Sequence, residues 1–171
     1  MSKCACFAYL LSLVVLVTAP AMAEHLPVPQ GDVILKVSGN IEHPNVGDEA
    51  HFDYDMLMAL SPHTLVTDTP WTEGAGHYEG PLARAVLEAV GARGDTLRIT
   101  ALNDFAADAP VSDFYDYDVI LALERDGEPM EIRDFGPIFV LYPFDDYPQQ
   151  LLTETIRFRS VWQVANIHVY E

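Results

Sequence analysis

Cysteine is the first scarcity. The 171-residue chain has two, Cys4 and Cys6, and both precede a small-residue cleavage pattern at Ala21-Met22-Ala23. A chain cut before Glu24 has no cysteine. That excludes disulfide staples, a thiolate nucleophile, an iron–sulfur cluster and a thiolate ligand for a soft metal. Its own hydrophobic core must then hold it together, and residues 24–171 suffice for a single domain.

Positive charge is the second scarcity. Lys3 and Lys36 are the only lysines, and the net charge is −17, or −18 once Lys3 leaves with the leader. Such a surface repels nucleic acid and anionic headgroups. It favours either a partner with a basic face or simple solubility. A long apolar run is also missing. The stretch 7–17, broken by Ser12, is too short for a membrane span. With Lys3 ahead and the cleavage pattern behind, residues 1–23 read as a secretory signal. Neither cysteine follows a lipidation box, so no membrane insertion is expected after cleavage. Half of the chain is hydrophobic (50%), so it is not a disordered acidic tail.

Taken in order, residues 33–37 alternate as a strand and 39–50 read as a loop. Asp53 is an N-cap, with Phe52 placed to staple onto Leu57 and Ser61-Pro62 as the stop. Residues 63–69 read as a second strand that delivers the loop Thr69-Pro70-Trp71-Thr72-Glu73-Gly74, continued through Gly76 to Leu82. Pro81 suits the first turn of a second helix, which ends at Gly91. Residues 96–102 form a strand into Asn103-Asp104-Phe105, and Ser112 caps one helical turn. Residues 119–123 are an apolar strand and Asp126-Gly127 a hairpin turn. Residues 138–142 are another strand, followed by a polar–aromatic loop holding Asp145, Asp146 and Tyr147. Residues 151–163 are ambiguous, and 166–170 alternate as a last strand. Five or six strands with two or three short helices make an α+β fold.

Several segments resemble a known family. Gly127-Glu128-Pro129-Met130, Gly136-Pro137-Ile138-Phe139-Val140-Leu141-Tyr142-Pro143 and Ser160-Val161-Trp162-Gln163-Val164-Ala165-Asn166-Ile167-His168-Val169 follow one another as do the closing motifs of the sulfite oxidase-type molybdopterin-binding domain. Tyr78-Glu79-Gly80-Pro81-Leu82 resembles that family's aromatic-x-G-x-x-L helix start. The resemblance implies a sulfite oxidase-like mixed β-sheet fold over residues 24–171. Two departures matter. The metal-binding cysteine is missing from the stretch around Thr69 to Gly74, and Phe139 stands where the family has arginine. The chain is thereby similar to small exported proteins of this fold that bind a reduced pterin without molybdenum. Those proteins work with inner-membrane signalling proteins, including enzymes of cyclic di-GMP. The resemblance thus implies a periplasmic, non-catalytic pterin-binding protein that reports ligand state to a membrane receptor. Its alternative is a molybdopterin-dependent oxidoreductase with a cysteine-free metal site. A third reading is a protein-only binder.

The residue chemistry suits a pterin. Its flat faces call for stacking, here by Trp71 and Phe105. Its adjacent donors call for a carboxylate, here Glu73, Asp104 or Asp145. Thr69 and Asn103 would meet the other polar atoms. Blander roles stay open: Asp104 as a turn residue, Phe105 and Trp71 as core, Asp145 and Asp146 as a solvated loop, Glu79 as surface. Tyr115 and Tyr117 beside Asp116 are either partner surface or packing. His43, His51, His63 and His77 lack helical H-x-x-x-H spacing, so no zinc site is expected.

Overall fold

The computed structural model describes residues 26–171. The expected signal peptide, residues 1–23, lies outside the described residues. Among those described, no helix is long and apolar enough to cross a membrane.

The chain opens with strands β1 (Leu35–Gly39) and β2 (Ala50–Phe52) and helix α1 (Tyr54–Met58). Asp53 caps α1 as its position predicts, accepting the Met56 N–H at 2.9 Å through Oδ1. Its Oδ2 accepts the N–H groups of Gln30 and Gly31, both at 2.8 Å. One carboxylate thus ties the N-terminal arm to α1. These backbone donors, Gly31 first, hold the Asp53 carboxyl below its ordinary range. Tyr54 bonds the Glu124 carboxylate, and burial together with that bond pushes its phenol up to about 12.

Next come β3 (Pro62–Thr67) and β4 (Gly76–Pro81), which pair antiparallel along their whole length. Here the sequence reading needs correction: residues 76–81 are strand, not a continued loop. Gly80 looks like a loop residue but serves close packing. A Cβ there would sit 1.9 Å from the Leu121 carbonyl oxygen, so only glycine lets the backbones approach. Pro81 therefore ends a strand, and Leu82 is the residue that precedes helix α2 (Ala83–Ala89). Val86, Leu87 and Val90 bury its inner face, and Gly91 leaves it with φ of +61°, as a C′ glycine should.

Strands β5 (Thr96–Ala101) and β6 (Ala106–Pro110) form a hairpin, followed by α3 (Ser112–Asp116). β6 escaped the sequence reading because alanine and aspartate are poor strand formers. Val111 precedes α3 and no side chain caps it, so Ser112 is a helical residue rather than the expected cap. β7 (Ile120–Ala122) is followed by β8 (Glu124–Arg125) and β9 (Glu128–Pro129). Asp126 and Gly127 between them both have positive φ, 53° and 83°, the geometry expected of an Asp-Gly hairpin. A 3-10 turn (Ile132–Asp134) precedes β10 (Phe139–Leu141), and α4 (Pro148–Leu151), α5 (Glu154–Arg159) and β11 (Val164–Tyr170) complete the chain.

The strands form a five-stranded sheet β2-β1-β11-β5-β6, a four-stranded sheet β3-β4-β8-β9 and the pair β10-β7. β1 and β11 run parallel, with Val37 opposite Ile167, and the other pairs are antiparallel. Mixed sheets with short helices make this an α+β fold. Leu35, Val37, Leu97, Ile99 and Ile167 line one face of the large sheet. They join Tyr78, Val86, Ile120, Phe139 and Leu141 in one buried cluster. Each fully buried Leu or Ile there stabilises the fold by about 1.5–3 kcal/mol.

Candidate functional site

The paired ends of β5 and β11 set the position of the site. Val164 lies opposite Ala101, and the Leu102 N–H donates to the Gln163 carbonyl at 2.9 Å. Just beyond that rung, Trp162 and Asn103 leave the sheet at the same end. The loop after β3 and helix α5 close over them. Together they enclose a cavity of about 330 Å³ lined by Trp71, Asn103, Phe105, Arg157, Phe158 and Trp162 over a floor of Ala101, Ser160 and Val161.

Trp71 is placed by the threonines beside it. Thr69 is buried, its Oγ1 lies 2.7 Å from Thr72 Oγ1, and it accepts the Trp71 N–H at 3.3 Å. A side chain that bonds the backbone two residues on closes a tight turn. The indole meets Phe139, Phe144 and Trp162 edge-on, with ring centres 5.8, 6.0 and 5.3 Å apart. Each such pair contributes about 0.5–1.5 kcal/mol beyond its buried area. Trp71 therefore does both things its sequence position allowed: it packs on the core and forms a wall of the cavity.

The turn between β5 and β6 presents the second wall. The Ala101 N–H donates to the Phe105 carbonyl at 2.8 Å, and the Phe105 N–H donates to Asn103 Oδ1 at 3.1 Å. Asp104 sits at the tip with φ of 65°, the left-handed region that aspartate tolerates in turns. It is exposed and does not line the cavity. Phe105 is 42% exposed at the rim, so it is not core.

Two other expected residues also lie outside the cavity lining. Glu73 is exposed in the loop after Trp71. Asp145 acts as a latch, accepting the Asp68 N–H at 2.8 Å while its own N–H donates to Thr67 Oγ1 at 3.2 Å. That latch holds the end of β3 to the loop after β10. Of the seven residues singled out in the sequence, the cavity gathers Trp71, Asn103 and Phe105, and Thr69 supports it from behind.

Helix α5 supplies what sequence reasoning missed. Thr153 caps it, accepting the Ile156 N–H at 3.3 Å, and Glu154 in its first turn complements the helix dipole. Arg159 points inward and donates to Asp113 Oδ2 at 2.8 Å, an oxygen that also accepts from the Tyr142 hydroxyl at 3.0 Å. Burial first, and the Asp113 charge second, push the Tyr142 phenol well above its usual value. Arg157, two residues earlier, lies on a different face of the helix and lines the cavity. The other six arginines each pair with a carboxylate, and among the described residues Arg157 is the one arginine that does not. The readable signal was the run Arg157-Phe158-Arg159 just before Trp162, in a segment whose periodicity decided nothing.

The cavity lining holds no carboxylate, histidine or phenol. Its polar side chains are Asn103, Arg157 and Ser160, beside the indole N–H groups of Trp71 and Trp162, and the Ser160 hydroxyl already donates to the Ile156 carbonyl at 2.8 Å. Aromatic faces with few polar groups suit the capture of a flat molecule. They offer no paired acid and base for proton transfer. No protein-family model matches this chain, and no curated protein matches it.

Proposed function

We propose that this protein is a non-catalytic binding module for a flat heterocycle, a reduced pterin, on a sulfite oxidase-like fold. The observation that carries the reading is the cavity walled by the rings of Trp71, Phe105, Phe158 and Trp162. A volume of about 330 Å³ accommodates a bicyclic ring system. Asn103 and Arg157 supply polar contacts at its edge. Glu73, Asp104 and Asp145 are engaged or exposed elsewhere, so the donor edge of the ring would face Asn103 and backbone carbonyls rather than a carboxylate. A phosphorylated metal cofactor fits this lining poorly, because one cation and no thiolate face the cavity.

In this reading the protein works in the periplasm and presents its ligand state to an inner-membrane signalling protein, such as a cyclic di-GMP enzyme or a sensor kinase. The rim supports such a readout. Phe158 is 65% exposed and Phe105 42%, so an occupant would rest against side chains that also form the outer surface. A receptor distinguishes the two states only if it binds them with different affinity. The test is calorimetric titration with dihydro- and tetrahydropterins, repeated with Phe105→Ala and Trp71→Ala. Binding at micromolar protein that weakens in both variants supports the reading. Absence of binding in the native protein overturns it.

A further inference from the structure

The unpaired arginine identifies the class of ligand more narrowly than the rings do. The chain carries 26 acidic and 9 basic residues, so a surface arginine has carboxylates all around it. Six of the seven arginines have taken one. Arg157 has Glu154 one helical turn before it, a spacing at which arginine and glutamate ordinarily meet, yet among the described residues it forms no ion pair. Its side chain is exposed, and the residue lines the aromatic cavity instead. Seating a ring there would strip water from that charge, a cost that an oxyanion on the ring offsets through paired N–H···O contacts. The lining offers no second cation, and the surrounding surface is strongly acidic. A single negative charge is therefore the match, and a doubly charged group would keep an uncompensated charge.

We infer that the cavity selects a flat heterocycle bearing one carboxylate, which Arg157 engages while Trp71, Phe105, Phe158 and Trp162 hold the ring. This rests on the proposed ring-binding function and adds the charge of its ligand.

The experiment compares pterin-6-carboxylate with 6-hydroxymethylpterin by calorimetry on the full chain, with indole-3-carboxylate and indole-3-carbinol as a second pair. In the native protein the pterin carboxylate should bind at least roughly tenfold more tightly than its neutral partner, as one charge-assisted contact requires. Arg157→Gln should reduce that ratio to near unity, and Arg157→Lys should restore part of it. Equal binding of the two pterins, or a ratio that survives Arg157→Gln, overturns the inference and leaves the pterin reading standing. If no pterin binds but the indole carboxylate is preferred in an Arg157-dependent way, the pterin reading falls and the inference holds. If none of the four binds, both fall.

Discussion

Two faces of one short helix carry arginines in opposite circumstances. Arg159 turns inward and shares the Asp113 carboxylate with Tyr142, so each of the three polar groups has a partner. Arg157 lines the cavity and, among the described residues, pairs with no carboxylate. The inner face is finished as a piece of architecture, because an unpaired group there would cost stability. The outer face is left open, and its arginine is the group that the proposed ligand would engage. On this helix, a carboxylate partner thus separates the arginine that holds the fold from the one that faces the cavity. The Asp53 knot, with three backbone donors on one carboxylate, belongs with the inner face.

The comparison is sharpest where it predicts damage. Asp113→Ala should destabilise the protein by roughly 2–4 kcal/mol, because it strands a partly buried guanidinium and a buried phenol together. Urea unfolding monitored by circular dichroism measures this, and a loss under about 1 kcal/mol would place Arg159 in the same class as Arg157. Asp53→Ala should cost about 1–2 kcal/mol through the lost cap and arm contacts. Its folded pKa is depressed, so the contribution is present above the ordinary carboxylate range and fades as pH falls through the folded value. Native and variant stabilities should therefore converge in acid, and parallel curves down to low pH would contradict the assignment.

A pH titration from the alkaline side probes the inner face without mutation. Tyr142 keeps its proton in the folded state beyond the pH at which the unfolded chain releases it, near 10. Its contribution is complete below that pH and is lost as pH rises further. Tyr142→Phe should flatten this alkaline loss. The smallest stability effect belongs to the outer face: Arg157→Gln should change unfolding free energy by less than about 0.5 kcal/mol. A larger loss would mean that Arg157 is structural after all.

Much of the framework was legible in the chain. Alternation in 33–37, 96–102 and 166–170 marks strands of the large sheet, because one-sided burial writes a period into sequence, and complete burial leaves the unbroken apolar runs at 119–123 and 138–142. Asp53, Gly91 and Asp126-Gly127 were legible as caps and turns for local backbone reasons. β4 was not, since Gly76, Gly80 and Pro81 are loop residues by propensity and become strand by pairing with β3 and β8, with Gly80 pressed against the backbone of β7. At the site, the Trp71 loop and the Asn103 turn were found from composition. Arg157 was not, since its significance lies in the absence of a pairing, which no sequence displays. The search for carboxylates chose Asp145, whose role as a latch depends on Asp68 and Thr67 lying far away in the chain.

The parallel pairing of β1 with β11 has a consequence in time. β11 sits in the middle of the large sheet, between β1 and β5, yet it begins about 125 residues after β1 ends. At ribosomal speed that separation is on the order of ten seconds. β1 waits throughout that interval and β5 for its second half, and until β11 is made the sheet has a gap where its centre belongs. Long-range pairing of this kind delays folding. The large sheet therefore closes late, when β11 enters between two strands made before it.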